Sequence, residues 1–83
     1  MYYVYLLKCA DTSIYTGITN DLEGRLRRHK DGSASRYTRA KGVIKIVYSE
    51  IHPTRSAALK REAEIKKWPR RRKLDFIQRA AKA

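Results

Sequence analysis

The first eighteen residues constrain this chain most. Tyr2 to Lys8 is a run of aromatic, β-branched and other apolar residues, and Ser13 to Ile18 is a second one. Only Cys9-Ala10-Asp11-Thr12 stands between them. Two strand-like runs this close in sequence pair most simply as an antiparallel hairpin. Register then matters, because a slip of one residue turns every side chain to the opposite face. A five-residue connection, Lys8 to Thr12, sets Tyr5 opposite Tyr15 and Tyr3 opposite Gly17, with both phenols on one face. An even-numbered connection would separate them.

The remaining elements follow from caps and periodicity. A helix runs from about Asp21 to Asp31, with Asn20 as N-cap and Glu23 three residues on. Gly32 stands where a left-handed C-cap belongs. Leu22 and Leu26 form its core stripe, and Arg25 and His29, four apart, share a neighbouring face. Gly24 inside this helix costs about 1 kcal/mol relative to Ala, which fits either a close backbone approach or simple tolerance. Ser33 to Lys41 is a polar, basic connector with room for a short helical turn. Val43 to Tyr48 reads as a third strand. Thr54 caps a long helix ending near Lys67, and Pro69 starts a final helix with Leu74 and Ile77 on its buried side.

A chain of 83 residues is expected to form one domain, residues 1–83. Twenty Lys and Arg against eight Asp and Glu give a net charge of +12. That excess implies a polyanionic partner: nucleic acid first, then an acidic protein or ribosomal neighbour, and last a membrane surface. No apolar run approaches the roughly 20 residues that span a bilayer. The N-terminus reads as a strand rather than a signal peptide. The lone Cys9 has no internal disulfide partner, so a reducing, cytoplasmic setting is expected. One Cys and two His do not make a structural zinc site.

In the third helix, Ala58, Leu59 and Ile65 define an apolar stripe at 100° per residue, and Glu62 falls near its middle. Glu64 falls almost opposite, near Lys60 and Arg61. A carboxylate on a core-facing stripe is costly unless it meets a cation or a metal. Glu62 is therefore either paired to an arginine or a metal ligand or acid/base group. Taken singly, the other residues read more simply. Tyr5 and Tyr15 read as core, Arg25 as a solvated charge, and His29 as a helix-end residue favoured by the macrodipole. Arg70-Arg71-Arg72-Lys73 reads as a basic helix face of the kind that grips phosphates, and His52 beside Pro53 as loop punctuation.

Taken together, these residues resemble the GIY-YIG nuclease superfamily. Tyr3-Val4-Tyr5 stands at the first half of that signature and Tyr15-Thr16-Gly17 at the second. Thr19 to His29 matches the helix that carries the family's arginine and histidine, and Glu62 falls where the family keeps its metal-binding glutamate. The likeness runs from about Tyr2 to Ile77 and is strongest to small stand-alone bacterial members. Ser35-Arg36-Tyr37-Thr38-Arg39 and Val47-Tyr48-Ser49-Glu50 are further matching stretches. The first motif has Tyr-Val-Tyr for Gly-Ile-Tyr, and Thr16 replaces the usual Ile or Val.

The resemblance implies an α+β fold, a three-stranded antiparallel sheet flanked by helices in the order β-β-α-β-α-α. It implies a metal-dependent endonuclease that hydrolyses phosphodiesters, DNA more than RNA, in DNA repair or processing. Tyr5, Tyr15, Arg25, His29 and Glu62 would be catalytic, with Glu62 holding Mg²⁺ or Mn²⁺. A single carboxylate suits an ion that keeps several waters. Arg25 would neutralise developing charge. Tyr15, in preference to His29, would orient or deprotonate the attacking water, with Tyr5 in support. Arg28, Arg36, Tyr37, Arg39, Arg70 and Arg71 would contact the nucleic acid. The alternatives are a non-catalytic nucleic-acid-binding module on the same fold, and a small ribosome-associated protein in which Glu62 is only ion-paired.

Overall fold

The hairpin forms from β1 (Tyr2–Cys9) and β2 (Ile14–Thr19), and β3 (Val43–His52) pairs with the other side of β1. All pairings are antiparallel and the strand order is β2-β1-β3. Helices α1 (Leu22–Lys30) and α2 (Arg36–Lys41) precede β3, while α3 (Arg55–Lys66) and α4 (Arg70–Lys82) follow it. This computed structural model describes residues 1–82. The α+β class and the three-stranded antiparallel sheet are as expected. The connector expected to hold a helical turn holds the six-residue α2, capped by Ser35, whose hydroxyl accepts from Tyr37 N at 3.1 Å.

Because β1 is the middle strand and both its faces are covered, Val4, Tyr5, Leu6 and Leu7 are all fully buried. Their side chains alternate between two cores. Val4 and Leu6 pack with Ile14, Ala58 and Ile65, and with Phe76 and Ile77 of α4. Tyr5, Leu7 and Cys9 pack with Tyr15, Leu22, Leu26, Val43 and Ile46. Helices α3 and α4 therefore cover one face and α1 the other. In β3, bulges at Ile44 and Val47 break the register, which lets Ile46 join one core while Val47 and Tyr48 join the other.

The hairpin register differs from the expectation by two residues. Tyr5 pairs with Gly17 and Leu7 with Tyr15, closing a three-residue loop, Ala10-Asp11-Thr12, rather than a five-residue one. Thr12 takes a left-handed φ of 71°, and Cys9 and Ser13 close the turn through Cys9 N to Ser13 O at 3.0 Å. Asp11 Oδ1 accepts from the Ser13 amide at 3.0 Å and hydroxyl at 2.6 Å, which holds the tighter turn. A shift of two preserves parity, so the phenols still share a face.

The cap of α1 also moves by one residue. Asp21, not Asn20, is the N-cap, and its carboxylate accepts from Gly24 N at 3.1 Å. A Cβ at position 24 would lie 2.2 Å from Asp21 Oδ2, so the glycine leaves room for the cap itself. Gly32 is left-handed at φ 84°, as the C-cap expectation required. Two apolar assignments change. Leu59 (37% exposed) and Leu74 (39% exposed) lie at the rims of their helices, and Phe76 joins Ile77 as the buried side of α4. With Leu59 at the rim, Glu62 sits on the flank of the α3 stripe and not at its centre.

Candidate active site

Tyr5 is the hub. It lies opposite Gly17, and its ring crosses that residue so closely that a Cβ there would be 2.5 Å from the hydroxyl and 2.7 Å from Cζ. The glycine of the second motif is thus the space through which the Tyr5 phenol reaches α1. There its hydroxyl meets His29 Nε2 at 2.8 Å. His29 is buried, and its Nδ1 meets Thr38 Oγ1 of α2 at 2.8 Å. Thr38 is fully buried and also bonds the Ser35 carbonyl at 3.3 Å. Both imidazole nitrogens are thus engaged by protein, so His29 has none left for an attacking water.

Tyr15 completes the aromatic cluster. Its ring is 6.3 Å from Tyr5, 5.2 Å edge-on from His29, and 5.8 Å from Tyr37, centroid to centroid. Tyr37 is 44% exposed, and Lys41 Nζ sits 5.2 Å from its ring. Arg25, one turn before His29, bears on both Tyr5 and His29 electrostatically.

Glu62 approaches from α3, which lies against β1 and β2. Its side chain is 17% exposed, and Lys66 Nζ stands 3.6 Å from Oε2, in the open, as a loose one-turn pair. The arginine partner considered from sequence is absent among the described residues. Arg61, on the other flank of α3, instead bonds Glu50 of β3 through Nε, at 3.0 and 3.3 Å.

Burial, with Tyr15 and Glu62 nearby, raises the Tyr5 phenol above its ordinary range, and Arg25 only partly offsets this. Burial, then Arg25 and Arg28, lowers His29 below an ordinary histidine. Both groups are therefore held neutral. Among the described residues there is no cluster of three or more His, Cys, Asp or Glu. A lone carboxylate such as Glu62 would suit only an ion that keeps most of its waters and not one needing a protein cage.

The structure thus brings together Tyr5, Tyr15, Arg25, His29 and Glu62, with Tyr37 at the rim and Arg28 acting on His29. Arg36 and Arg39 are exposed on α2. The exposed Arg70 also has a structural role: its Nε and one Nη donate to Thr12 O at 3.3 and 3.1 Å and that Nη to Thr12 Oγ1 at 3.1 Å, fastening α4 to the hairpin loop and leaving the other Nη outside these bonds. Those donors are not free for phosphate. Arg71 is exposed beside it. Thr38 and Gly17 were not singled out from sequence as site residues. The signal for Thr38 was its place one turn after the capping Ser35, inside a matching stretch.

Comparison with known proteins shows the family and agrees with the fold. Residues 1–75 match the model of the GIY-YIG catalytic domain. A UPF0213 protein of Clostridium perfringens is 48% identical over 77 residues, covering 93% of this chain and 83% of its own. One from Staphylococcus saprophyticus is 43% identical over 76 residues, covering 92% and 93%. The solution NMR structure of the UPF0213 protein BH0048 from Bacillus halodurans superposes with a TM-score of 0.59 at 37% identity, covering 94% of this chain and 84% of that one. By its matching catalytic-domain model and these relatives, the chain belongs to the GIY-YIG family, a nuclease superfamily whose members generally use divalent metal ions.

Proposed function

We propose that this protein is a metal-dependent endonuclease that hydrolyses phosphodiester bonds, in DNA rather than RNA, as part of DNA repair or processing in the cytoplasm. One observation carries the reading: two phenols, a guanidinium and a lone carboxylate converge around the buried Tyr5 hydroxyl. The charge of +12 supports a nucleic-acid substrate.

Glu62 would hold Mg²⁺ or Mn²⁺, and a cation there supplies stabilisation for charge on the scissile phosphate and leaving oxygen. Arg25 neutralises charge that develops on the phosphoryl oxygens, as a planar donor that stays ionised. Tyr15 orients the attacking water and, in its deprotonated form, takes the water's proton to become a neutral phenol. Tyr5, neutral and fixed by His29, positions that water and the Arg25 guanidinium. His29 holds Tyr5 and does not itself meet the water. Arg28, Arg36, Tyr37, Arg39 and Arg71 grip the strand around the site.

The test uses pure protein with labelled single- and double-stranded DNA and RNA, with Mg²⁺, with Mn²⁺ and with chelator. Cleavage should require the metal, and Glu62→Gln should abolish it while retaining most binding. A Glu62→Gln protein that cuts at the wild-type rate would remove the metal assignment. One observation favours a second reading, a binding module that no longer cuts: Lys66 partly neutralises Glu62 from 3.6 Å. In that case nucleic acid is bound with or without metal and never cleaved.

A further inference from the structure

His29 is bonded on both sides, and the donors and acceptors around it can be counted. A carbonyl oxygen only accepts, so the contact of 3.3 Å between Thr38 Oγ1 and Ser35 O is satisfied only if Thr38 donates to it. Ser35 O has two lone pairs and already takes the Arg39 amide at 3.0 Å, which leaves one for Thr38. With its hydrogen directed there, Thr38 Oγ1 faces His29 Nδ1 at 2.8 Å as an acceptor. Nδ1 then carries a hydrogen. A neutral ring has only one, so Nε2 is a bare lone pair 2.8 Å from Tyr5 Oη. The Tyr5 hydroxyl must be the donor of that bond. The opposite arrangement would turn the Thr38 hydrogen to His29 and leave two oxygens facing each other at 3.3 Å with nothing between them.

We propose that Thr38 is a positioning residue that fixes His29 as the Nδ1–H tautomer and thereby turns the Tyr5 hydroxyl hydrogen inward, so that Tyr5 offers the site only its lone pairs. Tyr5 is then an acceptor toward the Arg25 guanidinium and toward a water, and not an acid for the leaving oxygen. The chain Tyr5–His29–Thr38–Ser35 ends in a backbone carbonyl, which has nowhere to pass a proton. It sets direction and is no relay. A buried imidazole beside Arg25 and Arg28 stays uncharged, as this pattern requires.

The tautomer follows from the fold alone, while its catalytic meaning rests on the nuclease reading, so the test has two parts. Long-range proton–nitrogen NMR correlation on ¹⁵N-labelled protein at neutral pH should show His29 Nδ1 protonated and Nε2 bare. An Nε2–H ring, or an imidazolium, in the wild type would overturn the proposal. Thr38→Val should lose the Nδ1–H preference and Thr38→Ser should keep it; an unchanged tautomer in Thr38→Val overturns Thr38's role. If Thr38→Val does not fold, the wild-type and Thr38→Ser spectra still decide. Where cleavage is measurable, Thr38→Val should lower kcat roughly tenfold to a hundredfold with little change in KM, the size expected on removing a partner that orients a reactive group, and Thr38→Ser should recover it. A wild-type protein that never cuts nucleic acid sinks the nuclease reading and leaves the tautomer result standing.

Discussion

Gly17 is where a missing side chain decides the site. A methyl there would overlap the Tyr5 hydroxyl, Cζ and Cε1, all within 3.0 Å. Because Tyr5 is fully buried and bonded to His29, its ring has little freedom to retreat. Gly17→Ala should cost about 1–3 kcal/mol in denaturant unfolding, the usual penalty of overpacking, and should break the Tyr5–His29 bond. Thr16, its neighbour, is the reverse case. Its hydroxyl is buried with no hydrogen-bond partner among the described residues, on a position where the family favours Ile or Val. Thr16→Val keeps the shape and removes the orphan, so unfolding should show about 1 kcal/mol of added stability. Neither effect was legible in sequence, because each depends on what faces the residue across the sheet. The shared face of Tyr5 and Tyr15 needed only an odd loop, which the five-residue expectation and the observed three-residue loop both are. The loop length was not legible, because it turned on a left-handed Thr12 and the grip of Asp11 on Ser13.

At the scale of elements, α3 has work on both flanks. Glu62 lies near enough to Tyr5 on the middle strand to bear on its phenol electrostatically, while Arg61 is held from the other side by Glu50. Glu50 also accepts from Tyr48 at 2.7 Å and lies 2.6 Å from His52 Nε2, and Arg61 further pairs with Glu64. Burial and Glu50 push the Tyr48 phenol up to about 12. This network fixes the rotation of α3 about its axis and so the reach of Glu62. Glu50→Ala should lower stability by roughly 1–3 kcal/mol, as partly buried charged partners are left unpaired. It should also reduce cleavage without touching substrate. Helix boundaries were readable from Thr54, Gly32 and Pro69. The roles of the α3 flanks were less so, because Leu59 looked like core and drew the apparent stripe toward Glu62. His52, read as loop punctuation, belongs to this network at the end of β3.

For the molecule as a whole, charge and titration set the working conditions. No helix among the described residues is long and apolar enough to cross a membrane. His29 is depressed below its ordinary 6.5, so the unfolded chain binds its proton before the folded one does. Stability from this group is full above about 6.5 and is lost as pH falls through that value toward the lower folded one. Thermal unfolding followed from pH 8 to 5 should show this decline in wild type and a flatter profile in His29→Asn. The depressed Asp11 and Asp31, held by Lys41 and Ser33, give a second loss below about 3.8. The basic balance was plain from composition. What composition left open was which cations are already engaged: Arg61 and Arg70 have partners within the fold, while Arg71 faces solvent.

Cys9 closes the middle strand, fully enclosed, with Val43 across from it. It is the chain's single sulfhydryl, so a thiol-reactive dye has one target, and that target is hidden until the strands part. The speed of labelling therefore clocks the opening of the sheet in unaltered protein, and a nucleic acid or metal that steadies the native form should slow that clock.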